Sequence, residues 1–440
     1  MNFKIMVRLS QSLTFSALVF FFITVNGFAS APVGDDSADI KSVVSEKYSH
    51  IRQHVDKAGS EAEQSVEGLA QYLVKSAKTD EEKAYAVFYW LTQNIVYDTQ
   101  GYFTGDYGNL TPEGVLQSRK AVCSGYSRLF KGLAEKAGLE VVEITGQAKG
   151  YGFTFDGKLG AHAWNAVKLK GQWKLVDATW GAGFLSEGGQ FIKQFDEFYF
   201  LSSPEHLIYS HLPNDSKWQL IKTPVSPDEF QKLAYVKTAF FKYGVDFHSH
   251  RYGMIEAKEP LTVTLISPEN IIFTTNLEEN NKKLQEHFTF TQKDGNKQVI
   301  QAVFPQEGTF FLNVFAKKKE EQGNYRLVLK YKVHAGQKAV KTSFFPKTYE
   351  LFATAGAYLY SPLTYNLKRG QAYEFKIKVP GAVKVFVIDK GEQNDKWHEL
   401  TKQGEIFYGS ATIEETTIGI AASFGQEEGN YSTLIEFMGL

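Results

Sequence analysis

The feature that most constrains this chain is a change of hydrophobic period along its length. Over 80–97, Ala84, Val87, Phe88, Leu91 and Ile95 recur at helical spacing. Thr79 or Asp80 caps the start, and Glu81 and Glu82 fill the first turn, where acids suit the helix dipole. Thr111-Pro112 is a second start signal. A third helix is expected from Cys123 to Ala137, with Tyr126, Leu129, Phe130 and Leu133 on one face and Gly138 as its stop. The period then drops to two. Val141–Thr145, Ala161–Leu169 and Gln172–Thr179 read as strands, the last two joined by a Lys170-Gly171 hairpin turn. Helices first and an antiparallel sheet after give an α+β domain. It is expected over 61–225, behind a polar linker and helix entry over 32–60.

From about 225 alternation is nearly the only signal. Leu261-Val263-Leu265, Phe310-Leu312-Val314, Leu327-Leu329-Tyr331-Val333, Tyr373-Phe375-Ile377-Val379 and Val383-Val385-Val387 all follow the strand period. The 35 Phe and 23 Tyr fit a β-rich chain. Glu321-Gln322-Gly323-Asn324-Tyr325 is echoed by Glu427-Glu428-Gly429-Asn430-Tyr431. That interval of about 100 residues is the length of one β-sandwich. Two tandem sandwiches are therefore expected, over 240–338 and 339–440, the alternative being one larger β domain.

Lys4 and Arg8 precede an apolar run from Phe15 to Val25, and small residues follow at Gly27 and Ala29-Ser30-Ala31. This is the order of a secretory signal peptide, expected over 1–31. The run is shorter than the roughly 20 residues that span a bilayer, so an exported chain (periplasmic or extracellular) with no stable membrane span after cleavage is expected. Net charge is −1, and Lys317-Lys318-Lys319 beside Glu320-Glu321 reads as a solvated hairpin tip, so no nucleic-acid partner is expected. No cofactor is expected. His248 and His250 lack a third ligand nearby in sequence, so no metal is expected either.

A single cysteine, Cys123, excludes an intramolecular disulfide framework. A free thiol in an exported protein is exposed to oxidation, which favours a functional role over a merely buried one. Cys123 also opens a helix, where unpaired N–H groups and the dipole favour thiolate. With a two-residue turn at Lys170-Gly171, facing residues place His162 and Asp177 diagonally on one side of the sheet, within side-chain reach. Cys123, His162 and Asp177 then have the chain order and types of nucleophile, base and orienting acid. Trp164 falls on the same face and is expected to shield the base, whereas Trp180 falls on the other. Asn165 is expected to be structural. Gly146 to Gly152 is expected to form a loop beside the site.

Three segments carry a resemblance. Val122-Cys123-Ser124-Gly125-Tyr126-Ser127-Arg128-Leu129-Phe130 resembles the nucleophile helix of the transglutaminase-like superfamily. Ala161-His162-Ala163-Trp164-Asn165 resembles its histidine strand, and Leu175-Val176-Asp177-Ala178-Thr179-Trp180-Gly181 its aspartate strand. Tyr89-Trp90-Leu91 through Tyr97-Asp98 resembles the preceding helix. Phe198-Tyr199-Phe200-Leu201, Pro204-Glu205-His206, His211-Leu212-Pro213 and Trp218-Gln219-Leu220 resemble its kyphoscoliosis-peptidase branch. The resemblance implies a papain/transglutaminase-like core, with a nucleophile helix packed on an antiparallel sheet. It further implies thiol attack on an amide of a protein or peptide, ending in hydrolysis or transamidation. The Cys123 backbone N–H is one candidate oxyanion donor, and Tyr97 and Trp90 are side-chain candidates. His206 and His211 are expected to pack. The rival expectation is a catalytically silent scaffold or envelope protein-binding module that keeps the fold.

Overall fold

A computed structural model describes residues 46–440, apart from 158, 338, 339, 341–343, 393 and 426–429. The export signal expected over 1–31 lies outside the described residues, as do Glu427, Glu428 and Gly429 of the sequence echo. No helix among the described residues is long and apolar enough to cross a membrane.

The first domain is a helical layer on a five-stranded sheet. Helix α1 (Ser49–Val55) lies within the segment expected to lead into a helix, of which residues 46–60 are described. Tyr48, Ile51 and Val55 join the core, and the Tyr48 ring stacks on Tyr85 at 3.9 Å. Helix α2 (Asp80–Asn94) begins with a capping box. The Thr79 side chain accepts from Glu82 N–H and the Glu82 carboxylate returns to Thr79 N–H, satisfying donors that a helix start leaves open. Helix α3 (Cys123–Lys136) buries Tyr126, Leu129, Phe130 and Leu133, one face as its period requires.

The sheet contains β1 (Val141–Ala148), β2 (Gly160–Leu169), β3 (Gln172–Val176), β4 (Phe200–Ser202) and β5 (His211–Pro213), in the order β4-β3-β2-β1-β5. All pairings are antiparallel. Lys170 and Gly171 turn the hairpin at φ 49° and 79°. Positive φ at both central residues suits the twist of a two-residue hairpin. The ladder pairs Leu169 with Gln172 and Asn165 with Val176. Two strand limits differ from expectation. β1 runs through Gly146 to Ala148, so the glycine-rich loop begins later. β3 stops at Val176, because Asp177 turns away to cap helix α4 (Ala178–Ala182).

The rest of the described chain is two sandwich-like domains with the same strand order. In the first, one sheet runs Tyr235–Val236, Arg326–Ala335, Gly308–Lys318, Ile271–Glu279, Lys282–Lys283, and Met254–Ala257 pairs parallel with Arg326–Ala335. Its facing sheet runs Asp246–Phe247, Leu261–Ile266, Lys297–Ala302, Thr289–Asp294. In the second, the first sheet runs Lys347–Thr348, Ser432–Gly439, Thr417–Ser423, Lys384–Lys390, Lys396–Glu399, with Asn366–Leu367 parallel to Ser432–Gly439. Its facing sheet runs Tyr358–Ser361, Ala372–Lys378, Ile406–Thr412, Thr401–Gln403. A short helix follows the first strand in both, Thr238–Lys242 and Glu350–Thr354. The two domains are therefore a structural repeat, strand for strand. The first starts at Tyr235, ahead of the expected 240, because that strand pairs with the last strand of its sheet.

One apolar cluster runs through both sandwiches and a second fills the first domain. A small cluster of Ile208, Leu212, Phe230 and Leu233 lies where first domain and first sandwich meet. There Lys149, almost fully buried, donates to the Leu233 carbonyl at 2.6 Å and lies over the Phe153 and Phe230 rings. Burial pushes its pKa down to about 7. Asp196 binds Lys242 at 2.7 Å and accepts from Thr238 at 3.0 Å. Lys317 departs from the expected solvated tip. It is buried and bonds Glu350 at 2.7 Å, tying one sandwich to the other.

Candidate active site

Three elements deliver the site. Val122 is extended and offers no side-chain cap, so α3 begins at Cys123 with its first N–H groups uncapped by a side chain. Gly125 lets this end approach the preceding segment: a Cβ there would lie 2.6 Å from Ala121 Cβ. Ser127 donates to the Trp164 carbonyl at 3.1 Å, and Asn165 Nδ2 donates back to Ser127 O at 3.1 Å. These bonds stitch α3 to β2 one turn beyond Cys123, and they are the structural role of Asn165.

The Cys123 thiol opens α3 within the electrostatic reach of His162 and Asp177. His162 is buried, and its Nε2 lies 2.7 Å from Asp177 Oδ2. With Nε2 on the carboxylate, Nδ1 is the ring nitrogen that Asp177 leaves open. Asp177 is held from four sides. Oδ1 accepts from Thr179 N at 2.8 Å and Trp180 N at 3.0 Å. Oδ2 accepts from His162, and also from His211 Nε2 at 3.0 Å. Burial raises the Asp177 pKa, but His162 and His211 more than offset it, and the net direction is well down. For His162 burial lowers, and the Asp177 charge and hydrogen bond raise it to a net increase. For Cys123 burial raises, and the nearby His162 brings the thiol below its ordinary value. All three shifts favour a thiolate–imidazolium–carboxylate arrangement.

His211 was expected only to pack. It is fully buried, and burial holds its pKa down despite Asp177. An ionised carboxylate only accepts, so neutral His211 carries its proton on Nε2. Its Nδ1 then accepts from the Ser210 hydroxyl at 2.8 Å. A three-residue strand has too few positions to show a period, so only the His211-Leu212-Pro213 likeness marked this position. His162, Asp177 and His211 bring possible ligand atoms within 4.8 Å. Both Nε2 atoms spend their N–H on Oδ2, however, which is the geometry of a hydrogen-bonded relay, since a metal ligand needs the nitrogen lone pair.

The remaining expected residues divide. Trp164 is buried with its ring 5.8 Å from His162, near-parallel. Trp180, expected on the opposite face, lies 5.4 Å from His162 and 4.4 Å from His211. It belongs to α4, so strand alternation does not govern it. Tyr97 pairs with Ala121, two residues before the thiol, and is half-buried within the electrostatic reach of Cys123. Trp90 is elsewhere. Its indole N–H donates to Glu63 at 3.1 Å and its ring faces the Arg119 guanidinium at 4.8 Å, so it anchors the helical layer and does not line the site.

The transglutaminase-like superfamily matches residues 67–178, which include Cys123, His162 and Asp177. A KY-like, immunoglobulin-like domain matches 227–346, the first sandwich. The chain carries a transglutaminase-like domain followed by a KY-like, immunoglobulin-like domain. Kyphoscoliosis peptidase of Mus musculus is 33% identical over 272 residues, 60% of this chain and 40% of that protein. The Homo sapiens kyphoscoliosis peptidase is 32% identical over 279 residues, 61% of this chain and 40% of that one. Hillarin of Drosophila melanogaster is 31% identical over 278 residues, 56% and 34% respectively. The chain thus spans 40% or less of the length of these relatives. Within the transglutaminase-like domain, α3, β2 and the end of β3 supply the thiol, imidazole and carboxylate. His211 lies between the two matched segments.

Proposed function

We propose that this chain is an exported cysteine-dependent acyl-transfer enzyme acting on amide bonds of proteins or peptides, with Cys123 as nucleophile, His162 as proton carrier and Asp177 as its orienting acid. The observation that carries this reading is the meeting of a lone thiol at the start of α3, its pKa lowered by the nearby His162, with a His162 ring held 2.7 Å from Asp177 Oδ2. Thiolate Sγ attacks the amide carbonyl carbon, and the carbonyl electrons move onto oxygen. The Cys123 backbone N–H and the Tyr97 hydroxyl are the candidate donors to that oxyanion. As the oxyanion collapses, His162 Nδ1 gives its proton to the leaving amine, and a thioester remains. A water or a second amine then gives its proton to His162 and attacks the thioester, releasing acid or new amide and restoring the thiolate. Export is part of the reading, on the order of charged, apolar and small residues over 1–31 and a lone thiol.

The test is iodoacetamide alkylation of the protein recovered from outside the cell, read by mass across a pH series, in wild type and His162→Ala. The one cysteine makes the adduct unambiguous. Fast alkylation well below the free-thiol pKa of about 8.5 is expected, because the thiol is lowered and His162 raised; His162→Ala is expected to lose it. The mass should also place the N-terminus beyond Val25. Equal profiles in both proteins, rising only near the free-thiol value, would defeat the triad. An intact N-terminus on the recovered protein would defeat cleavage.

A further inference from the structure

The thiol sits at the inner end of a run of aromatic rings that reaches the surface. Tyr97 is fixed beside the nucleophile by its pairing with Ala121 and by Asp98 N–H donating to Ala121 O at 3.0 Å. Asp98 then caps the short helix Thr99–Thr104, whose Tyr102 and Phe103 follow at once. Ring centroids step outward at 5.9 Å from Tyr97 to Tyr102, 5.1 Å from Tyr102 to Phe103 and 5.8 Å from Phe103 to Tyr151. Cys123 is close enough to Tyr97 and Tyr102 to oppose their ionisation. The outer rings are open to solvent, Phe103 at 56% and Tyr151 at 41%. This ledge is also built. Tyr151 O–H donates to the Glu187 carbonyl at 3.2 Å. Gly189, at φ 74°, packs so close that a Cβ would lie 2.8 Å from the Phe103 ring.

Resting on the acyl-transfer reading, we propose that Tyr102, Phe103 and Tyr151 form a subsite for an aromatic or large aliphatic side chain of a polypeptide acyl donor, next to the carbonyl that Cys123 attacks. The occupant follows from continuity with the thiol. A nucleophile for amides with an apolar ledge one or two rings away suits a polymer that carries an apolar side chain beside each amide. Large exposed apolar area is costly to keep unless something covers it, and edge-to-face rings favour a further ring in the same packing.

The experiment uses peptidyl chloromethyl ketones, whose methylene carbon alkylates the Cys123 thiolate with loss of chloride, with Phe, Leu, Ala or Glu next to the reactive ketone. Labelling rates are compared within one protein. The phenylalanine probe should exceed the alanine probe by about tenfold or more, and the glutamate probe should be slowest. This ratio should fall toward one in Phe103→Ala and in Tyr151→Ala, and stay as in wild type in Trp397→Ala, an exposed aromatic of the second sandwich. A flat probe series with fast iodoacetamide alkylation overturns the subsite and leaves the triad standing. Slow alkylation by every reagent near neutral pH overturns the triad itself. Competition against the phenylalanine probe by soluble oligosaccharides, with none by peptide carboxamides, would reassign the ledge to sugar stacking and overturn the proposal.

Discussion

Asp177 accepts four hydrogen bonds, and half of its Oδ2 environment comes from a residue outside the expected triad. A neutral His211 donating to a buried carboxylate is a charge-assisted bond, worth about 1.5–3 kcal/mol. His211→Phe keeps a ring and loses the donor, so it should cost about that much stability at pH 7, measured by urea unfolding. His211→Gln keeps an N–H and should recover much of it. The pH dependence has a definite sign. The Asp177 pKa is depressed by folding, so its contribution is full above the unfolded carboxyl value of about 3.9 and is lost as pH falls through the folded value. The gap between wild type and His211→Phe should therefore narrow below roughly pH 4. An equal, pH-independent loss in both variants would reduce His211 to packing. The other site residues were more legible than this one. Cys123 stood out as the lone thiol at a helix start. The diagonal of His162 and Asp177 follows from the two-residue turn, whose observed ladder has the anticipated register. His211 offered no such handle, since its partner is set by β1–β5 pairing across more than sixty residues of chain, as in Ala148 opposite His211.

At the scale of elements, Gly146 decides whether His211 arrives at all. It lies inside β1 and pairs with Pro213 of β5. A Cβ there would lie 2.1 Å from Leu212 O and 2.8 Å from both Pro213 Cα and the Trp164 ring. Gly146→Ala should therefore push β5 off the sheet edge and cost about 1–3 kcal/mol by overpacking. Gly160→Ala, on the neighbouring strand with nothing nearer than 3.9 Å, should change stability by less than about 0.5 kcal/mol. Thermal unfolding of the two variants measures this, and equal effects would remove the argument. Local sequence could not separate a strand glycine from a loop glycine within Gly146–Gly152, because the reason for it is a backbone from elsewhere. The end of β3 failed for a related reason. Residues 177–179 keep an alternating pattern, but an aspartate that caps a following turn outweighs alternation. Helices α2 and α3 were clear because cap, period and stop agree.

For the whole molecule, the sandwich repeat was legible only as a faint Gly-Asn-Tyr echo, since strand order is a property of pairing and not of local pattern. It has a consequence for how the chain bears tension. In the first sandwich Met254–Ala257 lies parallel to the final strand, with four paired positions; in the second, Asn366–Leu367 does so with two. When a chain is drawn out by its two ends, adjacent parallel strands near those ends are pulled in opposite directions along their common axis. Their cross-strand hydrogen bonds then share the load in shear instead of peeling one by one. Of the two arms, the longer clamp belongs to the sandwich that follows the transglutaminase-like domain. Stretching single molecules from residue 227 outward should release the second sandwich first, at lower force, while the first stays folded against the transglutaminase-like domain; the reverse order would show that these parallel pairs do not set the mechanical strength.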